Sequence, residues 1–139
     1  MKLVVGITGS TGVIYGIRLL EILKRLNIET HLVMSQWAEK CISMETNHDL
    51  NYVKSLATES SDEANMAASI SSGTHKTDGM IVIPCSMKTL SSVANGYDET
   101  LVARAAGVML KESRKLILVV RETPLTAINL ENMLKLARL

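Results

Sequence analysis

The chain has 139 residues, 47% hydrophobic and 21% charged, with a formal net charge of +1. That length supports one domain around one core, and the composition excludes a disordered chain. The near-neutral balance gives no electrostatic footprint for nucleic acid or an anionic membrane.

The chain opens with Lys2–Val5, short, apolar and partly β-branched, which predicts a buried first strand. MKLVVGITG lacks the longer apolar core and small-residue cleavage site of a signal peptide, and no apolar run approaches the ~20 residues of a membrane span. The glycine-rich turn GITGSTGVIYG follows, and residues 12–27 take a helical period, with Val13, Leu19, Leu20, Leu23 and Leu26 on one side and Arg18, Glu21 and Arg25 on the other. Residues 30–34 (THLVM) predict a second strand, 36–44 a helix and 50–56 a second short helix. The polar stretch TESSDEAN (58–65) predicts a surface loop leading into residues 66–70. GMIVIP (79–84) predicts a third strand, 87–94 and 101–112 two helices, LILVV (116–120) a fourth strand and 125–139 a last helix.

Strands alternating with helices imply parallel pairing in an α/β fold, a three-layer sandwich. Unbroken apolar strands agree, because both sheet faces are then covered. Ligands in such sheets sit beyond the C-terminal ends of the strands, so the residues after each strand carry the functional information. They are Thr8-Gly9-Ser10-Thr11-Gly12, then Ser35, then Cys85-Ser86-Met87-Lys88-Thr89, then Arg121-Glu122-Thr123. Small hydroxyls, exposed backbone, one Lys and one Arg suit a phosphate monoester joined to a polar ring system. Each piece has a plainer reading: a tight connection for the glycines, helix caps for Ser35 and SMKT, a surface ion pair for Arg121. Their conjunction favours a ligand site.

Dinucleotide binding needs an acidic residue after the second strand, where this chain has Met34-Ser35, and the glycines at 6, 9, 12 and 16 miss GxGxxG. A Walker A loop needs a Lys directly after a glycine of this turn, and there is none. A ligand with one phosphate, such as flavin mononucleotide (FMN), fits better. Trp37, beside Ser35, is expected to pack in the core or between subunits rather than stack on a flavin. Cys85 is expected to be a small buried filler. His31, His48 and His75 have no mutual spacing for metal or triad work, the eight Met are dispersed, and Cys41 and Cys85 match no metal spacing. With no secretory signal, two such cysteines point to a reduced, cytoplasmic setting.

The stretches GITGSTGVIYGIRLL, ETHLVMSQWA, Glu45-Thr46, AASISSG, TDGMIVIPCSMKTLSSVANGY, RAAGVMLKESRKLILVVRETPL and LENML cover nearly the whole chain. On them it resembles the UbiX family of flavin prenyltransferases, formerly called phenylacrylic or aromatic acid decarboxylases. The resemblance implies a flavodoxin-like or Rossmann-like fold over 1–139, FMN as cofactor, no metal, and a homo-oligomer such as a trimer or dodecamer. It implies transfer of a dimethylallyl group from dimethylallyl monophosphate to the N5 and C6 atoms of reduced FMN, the product serving a UbiD-type decarboxylase. Carried over by position, Gly9, Ser10, Thr11, Ser35, Ser86, Met87, Lys88, Thr89 and Arg121 contact the FMN. Glu45 is the candidate for proton handling, and Arg138 reaches the donor phosphate, across a subunit boundary.

The chain departs from the family pattern at Gly107, where Asp is usual, at Asn129, where His is common, and at His75, which replaces an aromatic. Family members continue for some tens of residues past the position of Leu139, in a segment that supplies a Tyr and a basic residue for the donor phosphate. Two other functions therefore stay in play: an FMN-binding protein inactive in prenyl transfer, or a phenolic-acid decarboxylase.

Overall fold

In the computed structural model, which describes Met1–Leu139 throughout, β1 (Lys2–Ile7) runs up the middle of a five-stranded sheet. β2 (Glu29–Met34) and β4 (Gly79–Cys85) flank it, and β3 (Glu59–Asp62) and β5 (Lys115–Val120) form the edges, giving the order β3-β2-β1-β4-β5 with every pair parallel. Six helices complete the unit: α1 (Val13–Arg25), α2 (Gln36–Glu45), α3 (Leu50–Ser55), α4 (Met87–Ala94), α5 (Leu101–Lys111) and α6 (Ala127–Ala137). None is long and apolar enough to cross a membrane. The flavodoxin-like three-layer architecture expected from the alternating pattern is the one observed.

Alternate residues of each strand face opposite layers. Val5, Ile7, Leu32 and Met34 pack with α1, α2 and α3 through Ile17, Leu20, Ile42 and Val53. Val4, Val33, Met80 and Val82 pack on the other side with α4 and α5 through Leu90, Val102, Ala105 and Met109. The sheet thus has a helical layer on each face. The two layers change sides between β1 and β4, so a crevice opens beyond the C-terminal ends of those two strands.

Two expectations need correcting. The 58–65 segment is not wholly a loop. Its Glu59–Asp62 is the edge strand β3, in register from His31↔Glu59 to Met34↔Asp62. Backbone bonding drives it: Thr58 N–H donates to the Thr30 carbonyl at 3.0 Å, and Thr30 N–H to the Thr58 hydroxyl at 3.1 Å, zipping the two chains together. An edge strand whose side chains meet water needs no apolar pattern, so hydropathy alone misses it. The last helix also starts later than residue 125. Thr126 and Asn129 form a reciprocal capping box that sets Ala127 as the first helical residue, which gives the Asn129 departure a structural role.

Candidate functional site

The crevice is strapped together by Thr8, which is 2% exposed. Its backbone N–H and its hydroxyl both donate to the Pro84 carbonyl, at 3.3 and 2.7 Å, and its hydroxyl oxygen accepts from Ser86 N–H at 2.8 Å. The glycine turn after β1 and the SMKT turn after β4 are therefore one rigid unit.

Three helices begin on this rim. Ser35 caps α2 by accepting from Ala38 N–H (3.0 Å), Ser86 caps α4 by accepting from Thr89 N–H (3.2 Å), and Thr100 caps α5 by accepting from Ala103 N–H (3.2 Å). The capping reading of Ser35 and Ser86 is therefore correct, and both also line a cavity of about 310 Å³ with Thr100, Gly9, Lys88 and Thr89. Of its 11 lining residues only Trp37 is hydrophobic. Each helix start carries unpaired N–H groups and a positive partial charge, and Lys88 adds a full one. The cavity is built for an anion.

Gly9 lies against α2: a Cβ there would overlap the Cβ of Trp37. Trp37 itself is 63% exposed, with Lys40 Nζ 4.7 Å from its ring centroid. The expected core packing is not realised, because the start of α2 projects beyond the sheet, where no layer covers it.

A second cavity, about 500 Å³, lies beside the first and is lined by Thr11, Gly12, Ile14, Tyr15, Glu45 and Arg121. Gly12 is the N-cap of α1 at φ 106°, ψ 22°, a left-handed conformation that glycine adopts without strain. That turn points Gly12 N–H at Glu45 Oε2, 3.2 Å away at the C-terminal end of α2. Glu45 is thus an exposed carboxylate fixed to the glycine turn and sharing a cavity with Arg121. Ser10, on the turn that joins the two cavities, has a buried hydroxyl oxygen with no hydrogen-bond partner in the chain. An orphaned buried hydroxyl next to a polar cavity is what a bound polar ligand would satisfy.

Of the residues picked from the sequence, the rim gathers Gly9, Ser35, Ser86, Lys88 and Thr89 in one cavity and Thr11, Glu45 and Arg121 in the other. Met87 instead packs its half-buried side chain against the α4–α5 core. Arg138 follows the last turn of α6, where Lys135 reaches Asn95 at the C-terminal end of α4 (3.4 Å). A helix of 11 residues spans ~16 Å, so within one chain Arg138 stands at the far end of the molecule from the rim. Sequence reasoning missed Gln36, Ser92, Thr100 and, above all, Glu63, which follows β3 and faces into the anion cavity. Its signal was a fifth strand end, hidden because β3 itself is polar.

Burial raises the Glu63 carboxyl above the ordinary carboxylate range, while the Gln36 N–H it accepts from (3.2 Å) and the nearby Lys88 oppose the rise. Burial pushes the Cys85 thiol up to about 12, so it is a protonated filler and no nucleophile. His31 is 3% exposed in β2, with Nε2 2.7 Å from the Ser61 hydroxyl on β3 and Nδ1 3.2 Å from Glu59 Oε2. Its role is to brace the edge strand. Gly107 faces Asp98, whose carboxylate pairs with Arg104 at 3.0 Å and would meet a Cβ at position 107 at 3.2 Å. Asp98 holds the space that a residue-107 side chain would enter. Nowhere do three or more His, Cys, Asp or Glu side chains gather as a metal site requires.

Comparison with known proteins converges on one family. The family model described as Flavoprotein matches residues 1–139. A probable UbiX-like flavin prenyltransferase of Escherichia coli O157:H7 is 56% identical over 140 residues, covering 100% of this chain and 71% of that protein. The crystal structure of a dodecameric FMN-dependent UbiX-like decarboxylase from Escherichia coli O157:H7 superposes with a TM-score of 0.98 at 57% identity, over 99% of this chain and 76% of the other. The crystal structure of AnUbiX (PadA1), in complex with FMN and dimethylallyl pyrophosphate, gives 0.97 at 52% identity, over 99% and 73%. With its parallel sheet, its strapped strand ends and a match along its whole length, the chain belongs to the Flavoprotein family and, within it, to the UbiX-like flavin prenyltransferases.

Proposed function

We propose that the two rim cavities divide the labour of a dimethylallyl transfer onto FMN. The anion cavity takes the FMN phosphate, with the starts of α2, α4 and α5 and the Lys88 ammonium as its donors. The Ser10 hydroxyl hydrogen-bonds the ligand where it passes from one cavity to the other. Convergence of three capped helix N-termini on one polar cavity, strapped by Thr8 at the β1–β4 crevice, is the observation that carries this reading.

Reduced FMN, when bound, supplies the electron-rich ring that accepts the prenyl group. The chain's own part is to position the donor and to stabilise charge. Arg121 presents a fork of donors to the oxygen charge that grows on the leaving phosphate as the allylic C–O bond breaks. Glu45, held by Gly12 N–H, is fixed to take or return a proton at the same cavity. Holding the donor against the acceptor adds the proximity contribution. Arg138 would serve the donor phosphate only from a second copy of the chain, in an assembly such as a trimer or dodecamer. The donor is dimethylallyl monophosphate, the product goes to a UbiD-type decarboxylase, and the setting is cytoplasmic, where Cys41 and Cys85 stay free thiols.

The test is anaerobic incubation of the chain with reduced FMN and dimethylallyl monophosphate, with mass spectrometry of the released flavin. A flavin heavier by one prenyl group is the expected product. FMN retention with no product leaves a binding protein. Carbon dioxide released from a phenolic acid by this chain alone points to a decarboxylase.

A further inference from the structure

The anion cavity contains an anion of its own. Glu63 follows directly on β3, and two bonds hold it at the rim: its carbonyl accepts Leu101 N–H at 3.0 Å, and its Oε2 accepts Gln36 N–H at 3.2 Å. Gln36 is the first residue of α2, so its N–H is one of the donors that a helix start offers to a phosphate. The carboxylate is therefore seated where a ligand phosphate would draw on the same positive end.

We propose that Glu63 is a built-in competitor for the ligand's phosphate, weakening binding when ionised and yielding the α2 N-terminus when protonated. This rests on the FMN reading above. The groups that face Glu63 are Lys88 from α4, Glu39 from α2 and its neighbour Asp62 at the end of β3. Lys88 favours the ionised form, while the two acids and partial burial favour the neutral one. Burial is the largest of these influences and raises the Glu63 carboxyl above the ordinary value of 4.5. The competition therefore relaxes as pH falls through that raised value. The cavity would hold phosphate ligands more tightly in mildly acidic solution than its cationic lining alone predicts.

The experiment is fluorescence titration of oxidised FMN with the wild-type chain and with Glu63→Gln, at pH 8.0 and in steps down to pH 4.5. Gln keeps an oxygen for Gln36 N–H, so the α2 start stays satisfied. Thermal melting checks that both proteins are folded at each pH, and Glu63→Ala serves as a second variant. At pH 8.0 the variants should bind about tenfold more tightly than wild type, the scale of one partly screened like-charge contact. The ratio of the two dissociation constants should shrink towards one as pH falls. FMN's own phosphate titration cancels in that ratio, because both proteins meet the same ligand. Equal constants at pH 8.0, or weaker binding by the variants, overturn the competition while leaving the FMN reading intact. Absence of quenching by every folded protein at every pH overturns both.

Discussion

The two rim cavities lie side by side, yet they are built on different principles. The anion cavity is made of helix starts, a buried strap and short hydroxyls, and its donors are mostly backbone groups whose positions the fold sets. The neighbouring cavity is more open and depends on two exposed, oppositely charged side chains, Glu45 and Arg121, placed by the Gly12 turn and the end of β5. Backbone donors suit a ligand that must be held before anything happens. Side-chain charges suit a charge that appears only during reaction. The comparison therefore assigns affinity to one cavity and rate to the other, and that assignment can be broken.

The largest effect is expected at Arg121. Arg121→Ala should slow prenylated-flavin formation by two to three orders of magnitude, about 3 kcal/mol of barrier, measured under anaerobic single turnover, while FMN affinity changes far less. An equal loss in both would erase the distinction between the cavities. Next comes Lys88→Ala, which removes the one full positive charge lining the anion cavity. FMN binding should weaken by roughly 30-fold, about 2 kcal/mol for a charged hydrogen bond, with the rate at saturating FMN little altered. A rate loss at saturation would move Lys88 into the other cavity's role.

Gly12→Ala should cost about 1–2 kcal/mol of stability through its left-handed backbone, read as a melting point lower by a few degrees. Because the same turn aims its N–H at Glu45, turnover should fall with it, and an unchanged rate would separate Glu45 from the turn. The smallest effect concerns the support of β3, which carries Glu63 to the rim. Burial lowers the His31 pKa below its ordinary 6.5, outweighing the pull of Glu59 in the other direction. The unfolded chain then binds more protons than the folded one between the two values, so stability is complete above about pH 7 and declines as pH falls through 6.5. The melting point of wild type should drop between pH 7.5 and 5.5 relative to His31→Gln. Parallel profiles for the two proteins would mean that His31 stays neutral in both states.

Legibility in the sequence followed the same physics as the two cavities. Hydropathy period and turn chemistry were enough for β1, β2, β4 and β5, for α1 through α5, and for the glycine turn and SMKT. Each of those is decided within a dozen residues by which side must be buried. β5 reads as apolar throughout, yet Ile117 is 45% exposed because β5 is a sheet edge. β3 reads as a loop for the converse reason. Edge position is a property of strand order, and no local pattern encodes it.

By itself, then, the chain of residues determined the parallel α/β architecture, the rim at the strand ends and most of the polar groups on it, because burial and capping act over short separations. The tertiary structure alone decided that these groups divide into two cavities, that Arg138 lies a helix length from its own rim, and that β3 delivers Glu63 to the start of α2. Each of those outcomes is a contact between distant segments, such as Gln36 with Glu63 or Gly12 with Glu45. Only the packed sheet brings such pairs within hydrogen-bonding distance.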